Sequence, residues 1–323
     1  MIQFEQVSKT YPGGVRAVRD LSLEVREGET LVLLGTSGCG KTTTLKMVNR
    51  LVEPTEGRIL VQGDEVMEQD PIALRRRIGY SIQHIGLFPH MTVGQNVAVV
   101  PRLLNWSRDR IDRRVDQLLD MAGLPPGQFR DRFPAQLSGG QRQRVGVARA
   151  LGADPPIILM DEPFGALDPI TREQLQKEFL ELQSELQKTI LFVTHDVFEA
   201  VRMGDRIALL DRGELQQLDT PADLVEEPAN SFVDDFLGQH RFQLSLLTRT
   251  VEEVTAAPEQ ELKGRPDDYL TPHSSLINAL DEFKRTEKDL LPVFDGDQHT
   301  GDVHKETLLD HIHRALKETG KEI

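Results

Sequence analysis

Cysteine is nearly absent from this chain: 323 residues hold one, Cys39. An internal disulfide is therefore excluded, and a reducing cytoplasmic setting is expected. Long apolar runs are missing as well. The stretches 31–34, 156–160 and 190–193 are far shorter than the ~20 apolar residues that cross a bilayer, so no transmembrane helix is expected. The opening MIQFEQVSKT has an acid at its fifth position and no apolar centre, which does not fit a secretory signal. Positive charge is scarce: 38 Lys+Arg against 52 Asp+Glu leave a net charge of −14. That balance argues against non-specific binding to nucleic acid. What is present, 38% hydrophobic and 28% charged residues, is the make-up of a soluble globular protein. At about 150 residues per domain, the length suggests one large domain and a smaller one.

Up to about Gly238, short apolar strands alternate with helical stretches. LVLLG, IGYSI, PIILM and TILFV are unbroken apolar runs followed by loops and helical patterns. Strands of that kind are buried on both faces, which implies a parallel sheet with crossover helices. LSLEV and GRILVQG alternate instead, as half-exposed antiparallel strands do. Ile111, Val115, Leu118, Leu119 and Ala122 fall on one face of a helix within 107–123. Residues 241–323 differ in character, holding 17 acidic and 11 basic residues and five of the nine histidines. Residues 256–268 read as a polar connector. After it come a helix over 276–286 capped by Ser275, the strand LLPVF, a GDQHTG turn and a second helix from Glu306.

GTSGCGKT follows the strand LVLLG and opens a helix expected to run to about Leu51, the GxxxxGK[ST] pattern in its proper context. Glycines let backbone N–H groups wrap an anion, and a helix N-terminus adds partial positive charge. Lys41 brings a full charge to the β- and γ-phosphates, and Thr42 a hydroxyl to Mg²⁺. Cys39 in this loop reads as a tolerated small residue. Such a loop signifies a nucleoside triphosphate and no more. The absence of an NKxD motif argues against a GTPase.

PIILMDEP places Asp161 and Glu162 at the end of a buried strand. Alternation sends adjacent side chains in opposite directions, so the two carboxylates should do different work. Asp161 is placed to hold Mg²⁺, and Glu162 to face the γ-phosphate as general base for the attacking water. LSGGQ supplies a second small-residue turn, Ser138, Gly139 and Gly140, opening another helix. One monomeric ATPase has no obvious need for two cradles. A head-to-tail pair of chains has, because each nucleotide could be clamped by one cradle from each chain.

The set GTSGCGKT, Gln83 after a strand, LSGGQ, MDEP, the loop GALD and His195 at a strand end resembles the nucleotide-binding subunit of ABC transporters, over residues 2–237. The resemblance implies an α/β fold: a P-loop ABC ATPase domain with a RecA-like parallel sheet core, an antiparallel β subdomain and a helical subdomain. It implies two subunits sandwiching two ATP molecules, each between the Lys41 loop of one and the Ser138 turn of the other. ATP would then lie against Gly35, Thr36, Ser37, Gly38, Cys39, Gly40, Lys41, Thr42 and Thr43. Tyr11 would stack on adenine, and the opposing Ser138, Gly139, Gly140 and Gln141 would close the site. Mg²⁺ would be held by Thr42, Gln83 and Asp161. Gln83 would also sense the γ-phosphate and link the site to the membrane subunit, His195 would contact the γ-phosphate, and Asp168 would communicate across the dimer. Thr36 stands where proline is common, without consequence for phosphate binding.

MVNRLVEPTEGRI, RRRIGYSIQHIGLFPHMTVGQNVAVVP and DEPFGALDPITR resemble, more narrowly, the ATPase subunits of osmoprotectant importers, which move glycine betaine, choline, carnitine and related quaternary amines. Expected partners are a second, identical ATPase subunit, transmembrane permease subunits and, indirectly, a solute-binding protein. The place is the cytoplasmic face of the plasma membrane, held peripherally. An importer of another small polar solute stays open, as does a soluble ABC ATPase of translation or DNA repair. A second cassette, coiled-coil insertions and basic tracts, all missing here, would have favoured the latter. Residues 246–314 resemble a single, small α+β CBS-like module, with 251–254 as its opening strand and the linker at 256–268. His304 and Thr307 stand where adenosine ligands are usual, so no nucleotide is expected there. A lone motif should leave Leu276, Leu280, Phe283 and Leu290 for a second copy to cover. His304, His311 and His313 are expected to be surface residues, not metal ligands.

Overall fold

The computed structural model describes all residues except 83–85, 166, 259–261, 263 and 319–323. Contacts divide the chain into two compact units, Met1–Leu218 and Asp219–Ile323. The division precedes the expected one at Leu237, because the helices Pro221–Glu226 and Ser231–Leu237 group with the second unit.

The four apolar runs do form a parallel sheet. Its parallel order is Arg206–Asp211, Thr30–Gly35, Thr189–Val193, Ile157–Asp161, Ile78–Ser81, and Glu214–Asp219 adds a sixth strand at the Arg206–Asp211 edge. Every residue of Thr30–Gly35, Ile157–Asp161 and Thr189–Val193 is buried. Strands covered on both faces need no alternation, which is why these read as solid apolar runs. The alternating segments pair separately: Arg16–Val25, Ile2–Thr10, Glu56–Val61 and Asp64–Glu65 form an antiparallel sheet. Leu21, Leu23 and Val25 turn inward against Leu31, Leu33 and Leu45, so one core serves both sheets.

The amphipathic pattern at 107–123 forms the helix Arg108–Met121, burying Ile111, Val115, Leu118 and Leu119. The helix after GTSGCG is shorter than expected, Lys41–Val48. Asn49 caps it, and Arg50 then adopts a left-handed φ of 53° that stops the α-helical ladder before Leu51.

In the second unit, the helix Leu276–Thr286 begins at Ser275, whose hydroxyl accepts from the Asn278 N–H. A hairpin of Leu290–Asp295 and Gln298–His304 follows, then the helix Lys305–Glu318. Two expectations fail here. Residues 251–254 form a 3₁₀ turn, Val251–Val254, not a strand, with Val251 and Val254 buried. Nor, among the described residues, is the face centred on Leu276 and Phe283 left for a second copy. Leu276 and Phe283 are fully covered by Val251, Leu270, Leu291, Val293, Val303 and Leu308 of the same chain, and Leu280 and Leu290 are half-buried. The polar connector contributes to this closure: Ala256 pairs with Asp302, Asp268 binds Arg285 at 2.7 Å and Lys288 at 2.8 Å, and just beyond it Leu270 pairs with Val293. Among the described residues no helix is long and apolar enough to cross a membrane, and no group of three metal-binding side chains forms.

Phe283 carries the core of the second unit alone among large aromatics on its helix. Phe283→Ala is expected to destabilise that unit by about 3–5 kcal/mol, read as an earlier unfolding transition of the full chain in urea. A shift under about 1 kcal/mol would contradict the packing described.

Candidate functional site

Three loops leave the parallel sheet at the carboxyl ends of Thr30–Gly35, Ile157–Asp161 and Thr189–Val193. That edge is where ligands bind in open α/β sheets. The first loop turns tightly into the helix Lys41–Val48. Gly35 has φ 149°, and a Cβ there would come 2.2 Å from the Leu210 carbonyl oxygen. Gly40, the helix N-cap, has φ 104°, and its Cβ would meet the Ala17 oxygen at 2.3 Å. Only glycine fits at either position, and the loop closes on backbone alone. With Gly40 as the cap, no side chain takes up the N–H groups of the first turn. Lys41 Nζ donates to the Gly35 and Thr36 carbonyls at 2.7 and 2.8 Å and lies 3.7 Å from Cys39 Sγ. The ammonium is thus held over a loop that also contains Ser37 and Gly38. Burial pushes the Cys39 thiol up, which keeps it protonated.

Thr42 Oγ1 donates to Asp161 Oδ1 at 2.8 Å. Asp161 is buried, and desolvation raises its carboxyl above the usual range. Glu162 points elsewhere. Its backbone is left-handed, φ 45°, with its N–H on the Val193 carbonyl at 3.0 Å. Its Oε2 lies 3.3 Å from His195 Nδ1. Neighbouring carboxylates therefore have different partners, and it is the left-handed turn at Glu162, just past the strand end, that accompanies the divergence. An αL glutamate costs of order 1–3 kcal/mol, and such strain gathers at functional sites.

Tyr11 closes a short turn by accepting from the Gly14 N–H. Its hydroxyl lies 3.4 Å from Thr43 Oγ1, and Lys9 Nζ sits 5.2 Å from the ring centre, so the ring flanks the phosphate loop. Ser138 caps the helix Gly139–Ala150: its hydroxyl accepts from the Gln141 N–H at 3.2 Å, and Gln141 Oε1 accepts from the Ser138 N–H at 2.9 Å. Gln141 is thereby committed to the cap. Gly140 lies against Thr171, where a Cβ would approach Cγ2 to 2.8 Å, while Gly139 faces open space. Asp168 caps the helix Pro169–Leu186 and accepts from the Thr171 N–H at 3.1 Å. Hydrogen bonds from Thr171 hold its carboxyl below the usual range. Gln83 lies outside the described residues.

Residues 18–165 match the family model described as ABC transporter. The chain is 55% identical to the glycine betaine/carnitine/choline transport ATP-binding protein OpuCA of Bacillus subtilis (strain 168), over 91% of this chain and 76% of that one. With the glycine betaine uptake system ATP-binding protein YehX of Escherichia coli (strain K12) it shares 47% identity, over 96% of this chain and 99% of that one. The chain belongs to the ATP-binding subunits of ABC transporters. It is accordingly an ATPase of the P-loop fold. A solved dimeric ATP-binding cassette in a post-hydrolysis state, bound to ADP and Pi, matches it with TM-score 0.62 and 36% identity, over 68% of this chain and 98% of that one.

The subunit also carries buried polar residues that motif reading passes over. Gln143, on the helix opened by Ser138, donates from Nε2 to the Pro163 carbonyl and ties that helix to the strand end bearing Glu162. Glu199 is buried beside Gln176, and desolvation raises its carboxyl. Their signal in the sequence is a polar residue on the apolar face of a helix, which is visible only once the face is known.

Asp161 gives a prediction with a definite sign. A carboxyl whose folded pKa exceeds its unfolded value loses stability as pH rises from the unfolded value through the folded one. At pH 7 its charge therefore costs the nucleotide-free fold. Asp161→Asn keeps an acceptor for Thr42 and is expected to raise Tm at pH 7, with the gain shrinking towards pH 4. Calorimetry across that range checks it, and a lower Tm at pH 7 would contradict the desolvation described.

Proposed function

We propose that this subunit energises an ABC importer for quaternary-amine osmoprotectants such as glycine betaine or choline, hydrolysing ATP at two composite sites between paired chains. The observation that carries the chemistry is the divergence of Asp161 and Glu162, one to Thr42 and the other to His195. The transported class rests on relatives such as OpuCA and YehX, whose names state glycine betaine, carnitine and choline transport. The solute itself never touches this subunit.

Lys41 and the N–H groups of its loop bind the β- and γ-phosphates, and Tyr11 stacks on the adenine. Thr42 Oγ1 and Asp161 Oδ1, 2.8 Å apart, are hard oxygen donors that suit Mg²⁺, with Gln83 as the third proposed ligand. When bound, that ion neutralises charge on the β- and γ-oxygens. Glu162 Oε2 accepts the proton of the attacking water, and His195 holds the carboxylate in position while contacting the γ-phosphate. The Ser138 turn of the opposite chain, with Gly139, Gly140 and Gln141, closes each site, and Asp168 reports across the pair. The helix N-terminus at Ser138 is prepared for this by its own cap, which fixes the turn before a nucleotide arrives. Closing on ATP and reopening after hydrolysis would drive permease subunits, which hold this subunit at the cytoplasmic face of the membrane. Residues 246–314 are proposed as a CBS-like appendage that takes no part in the chemistry, since every residue assigned a catalytic role lies at or before His195.

Glu162→Gln keeps size and hydrogen bonding but removes the charge that accepts the proton. Turnover should fall by at least about a hundredfold, while ATP still binds and a long-lived dimer appears on gel filtration with ATP. Near-parental hydrolysis would sink the assignment. The transported class is tested separately, by reconstituting the subunit with its permease and binding protein in vesicles. Glycine betaine or choline is expected to raise ATP hydrolysis several-fold; stimulation by an unrelated polar solute alone would transfer the proposal to that solute.

A further inference from the structure

The segment that follows Thr189–Val193 is fastened twice to the helix Pro169–Leu186. Gln176 Nε2 donates to Glu199 Oε1 at 2.9 Å, with both residues buried. One turn earlier, Arg172 Nη1 lies 3.6 Å from Asp196 Oδ2, and Arg172 Nη2 donates to the Leu167 carbonyl at 3.1 Å. Arg172 and Gln176 stand four apart, so they share one face of their helix. On the other side, Asp196 caps the helix Val197–Met203 by accepting from the Phe198 and Glu199 N–H groups. The Thr194 hydroxyl accepts from the Asp196 N–H at 3.0 Å.

These bonds surround His195 without involving it. Thr194 and Asp196 flank it in the chain, and both belong to the network that Glu199 anchors. At its far end, the network reaches a helix whose N-cap is Asp168. A buried glutamate is costly unless it is hydrogen-bonded, and an apolar pair of the same volume would pack without that cost. A hydrogen-bonded pair does what an apolar one does not: it admits a single setting of one element against the other.

We infer that Glu199 and Gln176 are positioning residues for hydrolysis, holding the His195 segment at one setting against the Asp168-capped helix so that His195 meets Glu162 only when that helix is in place. The inference rests on the roles given above to Glu162 and His195. It also gives Asp168 a route to the chemistry that runs through its own helix and needs no direct contact with the reacting atoms.

The test is steady-state ATP hydrolysis by the purified full chain, with binding of a non-hydrolysable ATP analogue measured in parallel. Glu199→Ala is expected to lower kcat about tenfold or more while KM and the analogue Kd stay within about twofold, because the Lys41 loop is untouched. Glu199→Gln retains an acceptor for Gln176 and is expected to recover most of the rate. A double variant, Gln176→Leu with Glu199→Ala, is expected to be no slower than the worse single one, since both remove the same link. Should Glu199→Ala not fold, Gln176→Met removes the donor at similar volume and carries the same reading. An unchanged kcat in either folded variant, losses that multiply in the double, or no rescue by Glu199→Gln would overturn the inference. Glu162→Gln assayed alongside keeps the two ideas apart: parental turnover there would refute the base, whatever the Glu199 variants do.

Discussion

The register of three parallel strands is the constraint on which the rest depends. Leu33 pairs with Val193, and Val193 with Asp161, so three strand ends stand in one row. The row is sealed by main-chain bonds beyond the ladder: the Glu162 N–H donates to the Val193 carbonyl at 3.0 Å and the Thr194 N–H to the Leu33 carbonyl at 3.2 Å. From that level, two residues lead to Gly35, one to Glu162 and two to His195. A slip of one residue in any strand would exchange the two faces, sending Asp161 away from Thr42 and Glu162 away from His195. The fully buried apolar runs that make the sheet are therefore also what aims the polar residues at its edge. Stability and geometry share one cause here.

The parallel sheet and the phosphate loop were legible in the sequence because each has a strong local signature. Unbroken apolar runs such as 189–193 admit few other structures, and glycines at 35 and 40 answer to close backbone approaches. That Asp161 and Glu162 have different partners was expected from alternation, but the structure separates them by a left-handed residue past the strand end, which no pleat pattern foretells. The Val251–Val254 turn was not legible. Two valines spaced three apart suit a 3₁₀ turn as well as a strand, and only the packing of Phe283 and Leu276 against them decides. The same packing explains why Leu276 and Phe283 are covered: the covering residues come from the hairpin, the turn, Leu270 and the last helix, segments that the periodicity of one helix does not count. The pair Gln176 and Glu199 was invisible for a similar reason, since each looks like an ordinary surface polar residue until the opposing element is placed.

Several polar residues of the first unit are buried in or near the elements that carry the candidate site. Lys41, Thr44, Asp161, Gln143, Thr194, Gln176 and Glu199 are all largely withdrawn from water. For Asp161 and Glu199, burial opposes the charged form. The fold thus gives up some stability at these two buried carboxyls, and recovers it in layers such as Leu31, Leu33, Leu191 and Val193, which carry no polar side chain. The second unit has its own core and its own hydrogen-bonded connector.

The left-handed backbone of Glu162 has a consequence for how this position can change over generations. A residue with φ 45° is relieved by glycine, and to a lesser degree by asparagine, because these occupy that region at least cost. Both replacements would also discard the carboxylate. Any population screened for thermal resistance alone would accordingly drift at position 162 towards chains that fold better and lack the carboxylate that meets His195. On the role proposed for Glu162, the twist in the main chain marks the place where selection for durability and selection for work pull in opposite directions.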